Sequence, residues 1–158
     1  DVVYVVDSYG SMVPKDVAYM TEKFKRALPH KMLGIHTHNN MQLAFANTLV
    51  GIEGGITFLD SSVYGMGRAA GNCTTELLLA NLRNPKYEIR PLLGFLEKHM
   101  VPMREKWEWG YNIPYMLTGN LNEHPRSAMA LRASENKDKY LDYYDRLTTP
   151  ETAFGGNE

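Results

Sequence analysis

His36 and His38 are the residues of this chain best suited to chemistry. They stand in the stretch Gly34-Ile35-His36-Thr37-His38-Asn39-Asn40, at the end of a short apolar run formed by Met32, Leu33 and Ile35. If that run is a strand, alternation sends both imidazoles to one face, with Cα atoms about 6–7 Å apart by strand rise. Two rings so placed can share one divalent ion, and a strand holds them in register for it. The plainer reading is a pair of loop histidines, hydrogen-bonded or exposed. Further polar residues recur after apolar runs elsewhere: Asp7 and Ser8, Asn40, Asp60 and Ser61, and Asn72. Asp7 and Asp60 can equally be helix caps or turn formers.

The elements that must position these residues follow a regular pattern. Val2–Val6 reads as a strand buried on both faces, and Pro14, Val17, Met20, Phe24 and Leu28 keep helical spacing until Pro29. Lys31–His38 reads as the next strand and Met41–Glu53 as the next helix, stopped by Gly54-Gly55. Ile56–Leu59 is a third strand. The glycine-spaced loop from Tyr64 to Asn72 follows it, and then a helix from Thr74 to about Arg83. This alternation predicts βα units of a parallel sheet, whose ligands bind beyond the carboxyl ends of the strands. Asp7, His36 and Asp60 all fall at such ends.

From Pro85 the pattern becomes helical. The sequence predicts a helix spanning Leu92 to Met100, a charged connection from Met103 to Trp109, and an apolar stretch Tyr111–Leu117 interrupted by Pro114. Further helices are expected around 126–132 and 137–146, with frayed residues Gly155–Glu158. Met100, Met103 and Trp107 read as core or interface filler. Two regions result: 1–84 as βα units and 85–158 as last elements with a helical extension.

With 158 residues, 44% of them hydrophobic, and a formal net charge of -1, the chain has an ordinary globular composition. There is no basic footprint for nucleic acid. A single cysteine, Cys73, excludes an internal disulfide framework and fits a reducing, cytoplasmic setting. No apolar run approaches the roughly 20 residues of a membrane span. The chain opens on Asp1 and runs at once into a strand, which points to a missing upstream part.

The combined wording His36-Thr37-His38-Asn39-Asn40, Ala46-Asn47-Thr48, Asp60-Ser61-Ser62 and Gly65-Met66-Gly67 with Ala70-Gly71-Asn72 resembles the HMGL-like superfamily of metal-dependent TIM barrels, the DRE-TIM metallolyases. That superfamily includes HMG-CoA lyase, the isopropylmalate and homocitrate synthases and the 4-hydroxy-2-oxovalerate aldolases. The resemblance implies the C-terminal half of a TIM (β/α)8 barrel followed by a helical extension. It implies His36 and His38 as ligands of a divalent metal, Mn²⁺ before Mg²⁺ or Co²⁺, with Asn72 adding an amide oxygen. The family's Asp-Arg-Glu motif is absent from this chain and is expected upstream.

Among the branches, the aldolases fit best. The lyase has a catalytic cysteine where this chain has Gly67 and Arg68, and the synthases have Glu-Arg where it has Arg68-Ala69. Ala69 and Ala70 match the small residues of the aldolases, and Arg68 departs from them. Trp109-Gly110-Tyr111 is similar to the aldolase stretch that supplies a catalytic tyrosine, so Tyr111 is the candidate and Tyr115 the fallback. Asn40 is expected to orient His38 or a water from the second layer, with Ser8 and Arg68 near the substrate. Arg68 could bind a substrate carboxylate or phosphate, or be a solvated loop residue.

The implied reaction is cleavage of a 4-hydroxy-2-oxo acid to pyruvate and an aldehyde. The implied associations are an acylating aldehyde dehydrogenase and copies of the chain itself. The alternatives are an acyl-CoA/2-oxo acid condensing synthase or HMG-CoA lyase-like enzyme, and a non-catalytic barrel half serving assembly.

Overall fold

In the computed structural model, which describes residues 1–149, the chain forms one sheet of parallel strands followed by helices. Strand β1 is Val2–Asp7, β2 is Met32–Thr37 and β3 is Phe58–Leu59, in that spatial order. Helix α1 (Pro14–Ala27) connects the first pair and α2 (Ala44–Glu53) the second. Pro14 occupies the first turn of α1, where its missing N–H has no partner to lose, and the Asp16 carboxylate reaches back to the Val13 amide at 3.0 Å.

Register places Val6 beside His36, Asp7 beside Thr37, and Gly34 beside Phe58. One sheet face carries Val3, Val5, Leu33, Ile35 and Leu59, which pack with Val17, Met20 and Phe24 of α1 and Val50 of α2. The other face carries Val2, Tyr4, Val6, Met32 and Phe58. Strand β1 is therefore covered on one side only, contrary to the continuous-run reading: Val6 is 44% exposed, and Met32 and Phe58 on the same face are also exposed. The reason is topological, since α1 and α2 both pack on the opposite face.

Several boundaries differ from the sequence reading, and of the expected charged connection from Met103 to Trp109 the part up to Lys106 is helical, continuing the turn before it. Helix α2 begins at Ala44, because Gln42 takes a positive φ of 57° and the Asn39 side chain accepts the Ala44 amide at 3.2 Å. Strand β3 is only Phe58–Leu59, although Thr57 and Asp60 still donate to Leu33 and Ile35 carbonyls on either side of it. The last helix, α8, is Tyr140–Thr148. The expected frayed segment Gly155–Glu158 lies outside the described residues.

After the glycine loop come α3 (Thr75–Leu82), α4 (Ile89–Phe95), a π-turn at Leu96–Met100, and α5 (Val101–Lys106). Pro102, near the start of α5, has no N–H to give to the preceding turn, and the wider π-turn before it accommodates that loss. Met100 is buried, but of the two tryptophans it is Trp109 that fills the core, its Nε1 donating to the Tyr64 carbonyl at 2.9 Å; Trp107 is exposed. Helix α6 (Ile113–Asn120) meets the carboxyl end of β2 and carries α7 (Arg126–Arg132) and α8 packed on it, with Ala69, Ala70, Tyr115, Ala128, Leu131 and Tyr143 sharing one core. Among the described residues, no helix is long and apolar enough to cross a membrane.

Arg132 anchors this helical part. It grips Glu108 through two bonds of 2.9 and 2.7 Å, and donates to the Lys137 carbonyl and to Asp138, each at 3.0 Å. The variant Arg132→Met is expected to lower stability by about 1–2 kcal/mol in urea melts, a figure discounted because Glu108 faces solvent. Arg132 holds the Glu108 carboxyl below the usual range. That contribution is therefore full above the unfolded carboxylate value and lost as pH falls through the lower folded one. As pH falls below about 4 the gap between wild type and variant should narrow, leaving what the bond to the Lys137 carbonyl contributes.

Candidate functional site

The carboxyl ends of β1 and β2 bring His36 and His38 together. Their ring centroids lie 4.9 Å apart at an interplanar angle of 81°. What surrounds each ring fixes its tautomer. His38 Nδ1 lies 2.9 Å from the Asp7 carbonyl, which can only accept, so Nδ1 carries the proton and Nε2 keeps its lone pair. His36 Nδ1 lies 3.3 Å from Asp60 Oδ2, and the same reasoning applies to an ionised carboxylate. Both Nε2 atoms thereby keep a lone pair, and each ring is backed by a carbonyl or carboxylate at Nδ1, the kind of support a metal-binding histidine needs. Burial pushes the His38 imidazole below its ordinary value against the pull of the Asp7 bond, and the neighbouring His36 and Arg68 act in the same direction as burial.

Asp60 is thus the partner of His36 rather than a helix cap, and it has a support of its own. Tyr4 lies over Gly34, where a Cβ would sit 2.5 Å from the phenol ring, so only glycine there lets the ring cross β2 toward Asp60. Burial and the adjacent Asp60 carboxylate raise the Tyr4 phenol. Sequence reasoning missed Tyr4; the isolated glycine inside a strand was the available signal, because it marks a close approach.

Asn72 reaches the same place by way of the glycine loop. The Asn39 amide donates to Gly71 O at 2.9 Å and the Cys73 amide to Thr37 O at 3.2 Å, which pairs His38 with Asn72 in an antiparallel bridge. The Asn72 amide nitrogen faces the Met66 carbonyl (3.3 Å) and Ser62 Oγ (3.4 Å), while its Oδ1 is buried without a hydrogen-bond partner. A buried, orphaned acceptor on the residue bridged to His38 fits a cation. Among the described residues, no group of three or more His, Cys, Asp or Glu gathers there, so the protein donors on hand are two imidazoles and one amide oxygen.

The remaining candidates fall in different surroundings. Asn40 does not orient His38, a task taken by the Asp7 carbonyl. Its side chain is buried and donates to the Tyr115 carbonyl at 3.1 Å, tying the end of β2 to α6. Asp7 is a turn former: it is 3% exposed, and its carboxylate accepts the Ser11 and Met12 amides at 3.0 and 3.3 Å. Burial pushes its carboxyl up, against the pull of those bonds. Ser8 is exposed and offers its carbonyl to Arg68 at 3.4 Å. Tyr111 is exposed, and its backbone is anchored to the glycine loop through the bond of Gly110 N to Ala69 O at 3.1 Å. The ring of Tyr115 is core, 4% exposed. Cys73 is 1% exposed and burial raises its thiol, which suits packing rather than nucleophilic chemistry.

The tail adds a group that no motif announced. His124 sits 3.4 Å from Arg68, with the Tyr9 ring edge-on at a centroid distance of 5.6 Å. Asn122 accepts the Ser11 hydroxyl at 2.7 Å, so the α6–α7 connection closes over the β1 turn.

Residues 1–97 match the HMGL-like family. The 4-hydroxy-2-oxovalerate aldolase of Brevibacillus brevis is 49% identical over 82 residues, covering 52% of this chain and 24% of that protein. The 4-hydroxy-2-oxovalerate aldolase 2 of Nocardia farcinica is 39% identical over 107 residues, covering 65% of this chain and 31% of its own length. The chain thus spans a third or less of these relatives. The crystal structure of the N-terminal domain of a presumed aldolase from Bacteroides vulgatus is 37% identical, with a TM-score of 0.74, covering 87% of this chain and 46% of that one. The carboxyl transferase domain of Rhizobium etli pyruvate carboxylase, at 14% identity and a TM-score of 0.68, shares the fold over 98% of this chain.

Proposed function

The chain belongs to the HMGL-like family, and from that membership we propose that it forms the metal-binding strand ends of an aldolase, one that cleaves a 4-hydroxy-2-oxo acid to pyruvate and an aldehyde. The observation that supports the reading is the fixed tautomer of both histidines, each keeping an Nε2 lone pair, with an orphaned Oδ1 on Asn72, the residue bridged to His38. The aldolase names of relatives 39% and 49% identical support the reaction class. The rest of a TIM barrel, with the Asp-Arg motif, would come from outside this chain.

His36, His38 and Asn72 would hold the ion, Mn²⁺ by the imidazole-rich donor set and Mg²⁺ or Co²⁺ as substitutes. When bound, it supplies positive charge against the oxyanion that develops on a 2-oxo acid as its C3–C4 bond breaks. The chain's own groups do the remainder. The Asp7 carbonyl and the Asp60 carboxylate keep the two imidazoles in their ligating tautomers. Tyr111 would relay a proton: its phenol accepts the 4-hydroxyl proton as its own passes to C3, so that the C4–O bond becomes the aldehyde carbonyl and the C3–C4 pair, left on the enolate, ends as the C3–H bond of pyruvate. Arg68 and the Ser8 carbonyl line the substrate side. The aldehyde would pass to an acylating aldehyde dehydrogenase, in a cytoplasmic homo-oligomer.

Full-length protein supplied with Mn²⁺ should release pyruvate and aldehyde in equal amounts from such an acid; no release from a metal-loaded protein would sink the reading. Asn72→Ala is expected to weaken Mn²⁺ binding about 10-fold or more in an electron-paramagnetic-resonance titration, the usual penalty for losing a supporting ligand. Unchanged affinity would remove Asn72 from the ligand set.

A further inference from the structure

We infer that Arg68 and His124 form a site for a second anionic group on the substrate, so that the protein selects 4-hydroxy-2-oxo acids whose aldehyde half bears a carboxylate or phosphate. The inference rests on the aldolase reading for the reaction. The anion site itself rests on four observations.

The first is the His124 tautomer. The backbone amide of Arg126 donates to His124 Nδ1 at 3.1 Å, so Nδ1 is an acceptor without a proton and the ring's hydrogen is on Nε2. The second is what Nε2 faces. It lies 3.4 Å from Arg68 Nη1, and a guanidinium has donors only. Two donors therefore converge with no acceptor between them, an arrangement an anionic oxygen would complete.

The third is charge. Among the described residues no Asp or Glu forms an ion pair with Arg68, whereas Arg26 has one and Arg132 two. The guanidinium is instead steadied through Nη2 by the Ser8 carbonyl at 3.4 Å. The fourth is location. Asp7 O holds His38 and Ser8 O holds Arg68, so neighbouring peptide units fix a metal-centre histidine and this cation, a Cα step of about 3.8 Å apart. A substrate bound at the histidines is therefore within reach of the Arg68–His124 pair through its far end. Tyr9, edge-on to His124, walls the site on one side.

The test uses full-length protein with Mn²⁺ and pyruvate, run in the direction of aldol addition. It compares succinic semialdehyde with its neutral amide and with glyceraldehyde 3-phosphate. Wild type should prefer one of the anionic aldehydes over the amide by about 10- to 100-fold in kcat/KM, the range for charge-assisted hydrogen bonds. Which of the two is taken identifies the carboxylate or the phosphate source. His124→Asn keeps an acceptor for the Arg126 amide while deleting the Nε2 donor, and Arg68→Met removes the cation from an exposed loop position. Each should reduce the preference to about threefold or less. A wild-type protein indifferent to charge, or variants that slow all aldehydes equally, would overturn the proposal.

A second readout does not need turnover. The His124 ring resonances should shift saturably on titration with glutarate or inorganic phosphate in wild type and stay fixed in Arg68→Met. If no substrate yields product, the aldolase reading fails alone and this titration decides the anion site; an unmoved His124 resonance in wild type would refute it.

Discussion

The double variant His36→Ala/His38→Ala is expected to lower metal-dependent pyruvate release by at least about 10³-fold. Removing both imidazoles leaves Asn72 as the remaining donor, and the electrostatic help a divalent ion gives a developing oxyanion is worth several kcal/mol, each 1.36 kcal/mol being a factor of ten. The fold should survive. The His36 side chain is 28% exposed, and its partner Asp60 is more exposed still, so Asp60 is not stranded in a dry interior when the ring is removed. His38 loses one bond to the Asp7 carbonyl, a loss of about 1 kcal/mol. The check is a pyruvate assay paired with a thermal melt. A variant that is inactive because it is unfolded would show a collapsed melt, whereas the account predicts a transition close to wild type.

The second large effect is structural and lies in the glycine loop. Gly71 holds φ at +77°, and a Cβ placed there would lie 2.1 Å from the Gly65 carbonyl oxygen. That oxygen accepts the Asn72 amide at 3.1 Å, and Gly71's own carbonyl accepts the Asn39 amide. Gly71→Ala therefore meets both a left-handed backbone, unfavourable by about 1–2 kcal/mol, and a clash with backbone that cannot swing aside. A loss of about 3 kcal/mol or more is expected in denaturant unfolding, together with weakened metal binding as Asn72 is displaced. Gly94 provides the contrast. It lies inside α4, and an added Cβ meets nothing within 4 Å. Gly94→Ala should stabilise by about 0.5–1 kcal/mol, through helix propensity and a less flexible unfolded chain. A Gly71→Ala protein as stable as wild type would contradict the loop geometry.

Local signals read from the sequence carried the first half of the fold. The βα alternation, Pro14 at the start of α1, and the shared face of His36 and His38 all depend on neighbours close in the chain, where periodicity and capping chemistry act. What the sequence did not disclose depends on distant contacts. That Asp60 would face His36 rather than cap a helix follows from the parallel register of β2 and β3. Asn40 turned from the histidine pair to α6 because the helical tail packs on that strand end and offers the Tyr115 carbonyl. His124 joined Arg68 through the fold of α6 and α7, and no local motif marks it. The start of α2 was misplaced because Met41 to Leu43 keep helical hydrophobic spacing while Gln42 breaks the backbone. Trp109 rather than Trp107 entered the core for a similar reason: only the former finds an acceptor, the Tyr64 carbonyl, for its indole N–H.

The most direct measurement is pyruvate release by full-length protein from a 4-hydroxy-2-oxo acid, first stripped with a chelator and then titrated with Mn²⁺. The account predicts a stripped protein with no release above background. Activity should return in step with metal binding in wild type and should not return in the His36→Ala/His38→Ala variant. Release that persists in the stripped protein, or that Mn²⁺ restores equally in the double variant, would contradict the assignment of these strand-end histidines as the metal centre of an aldolase.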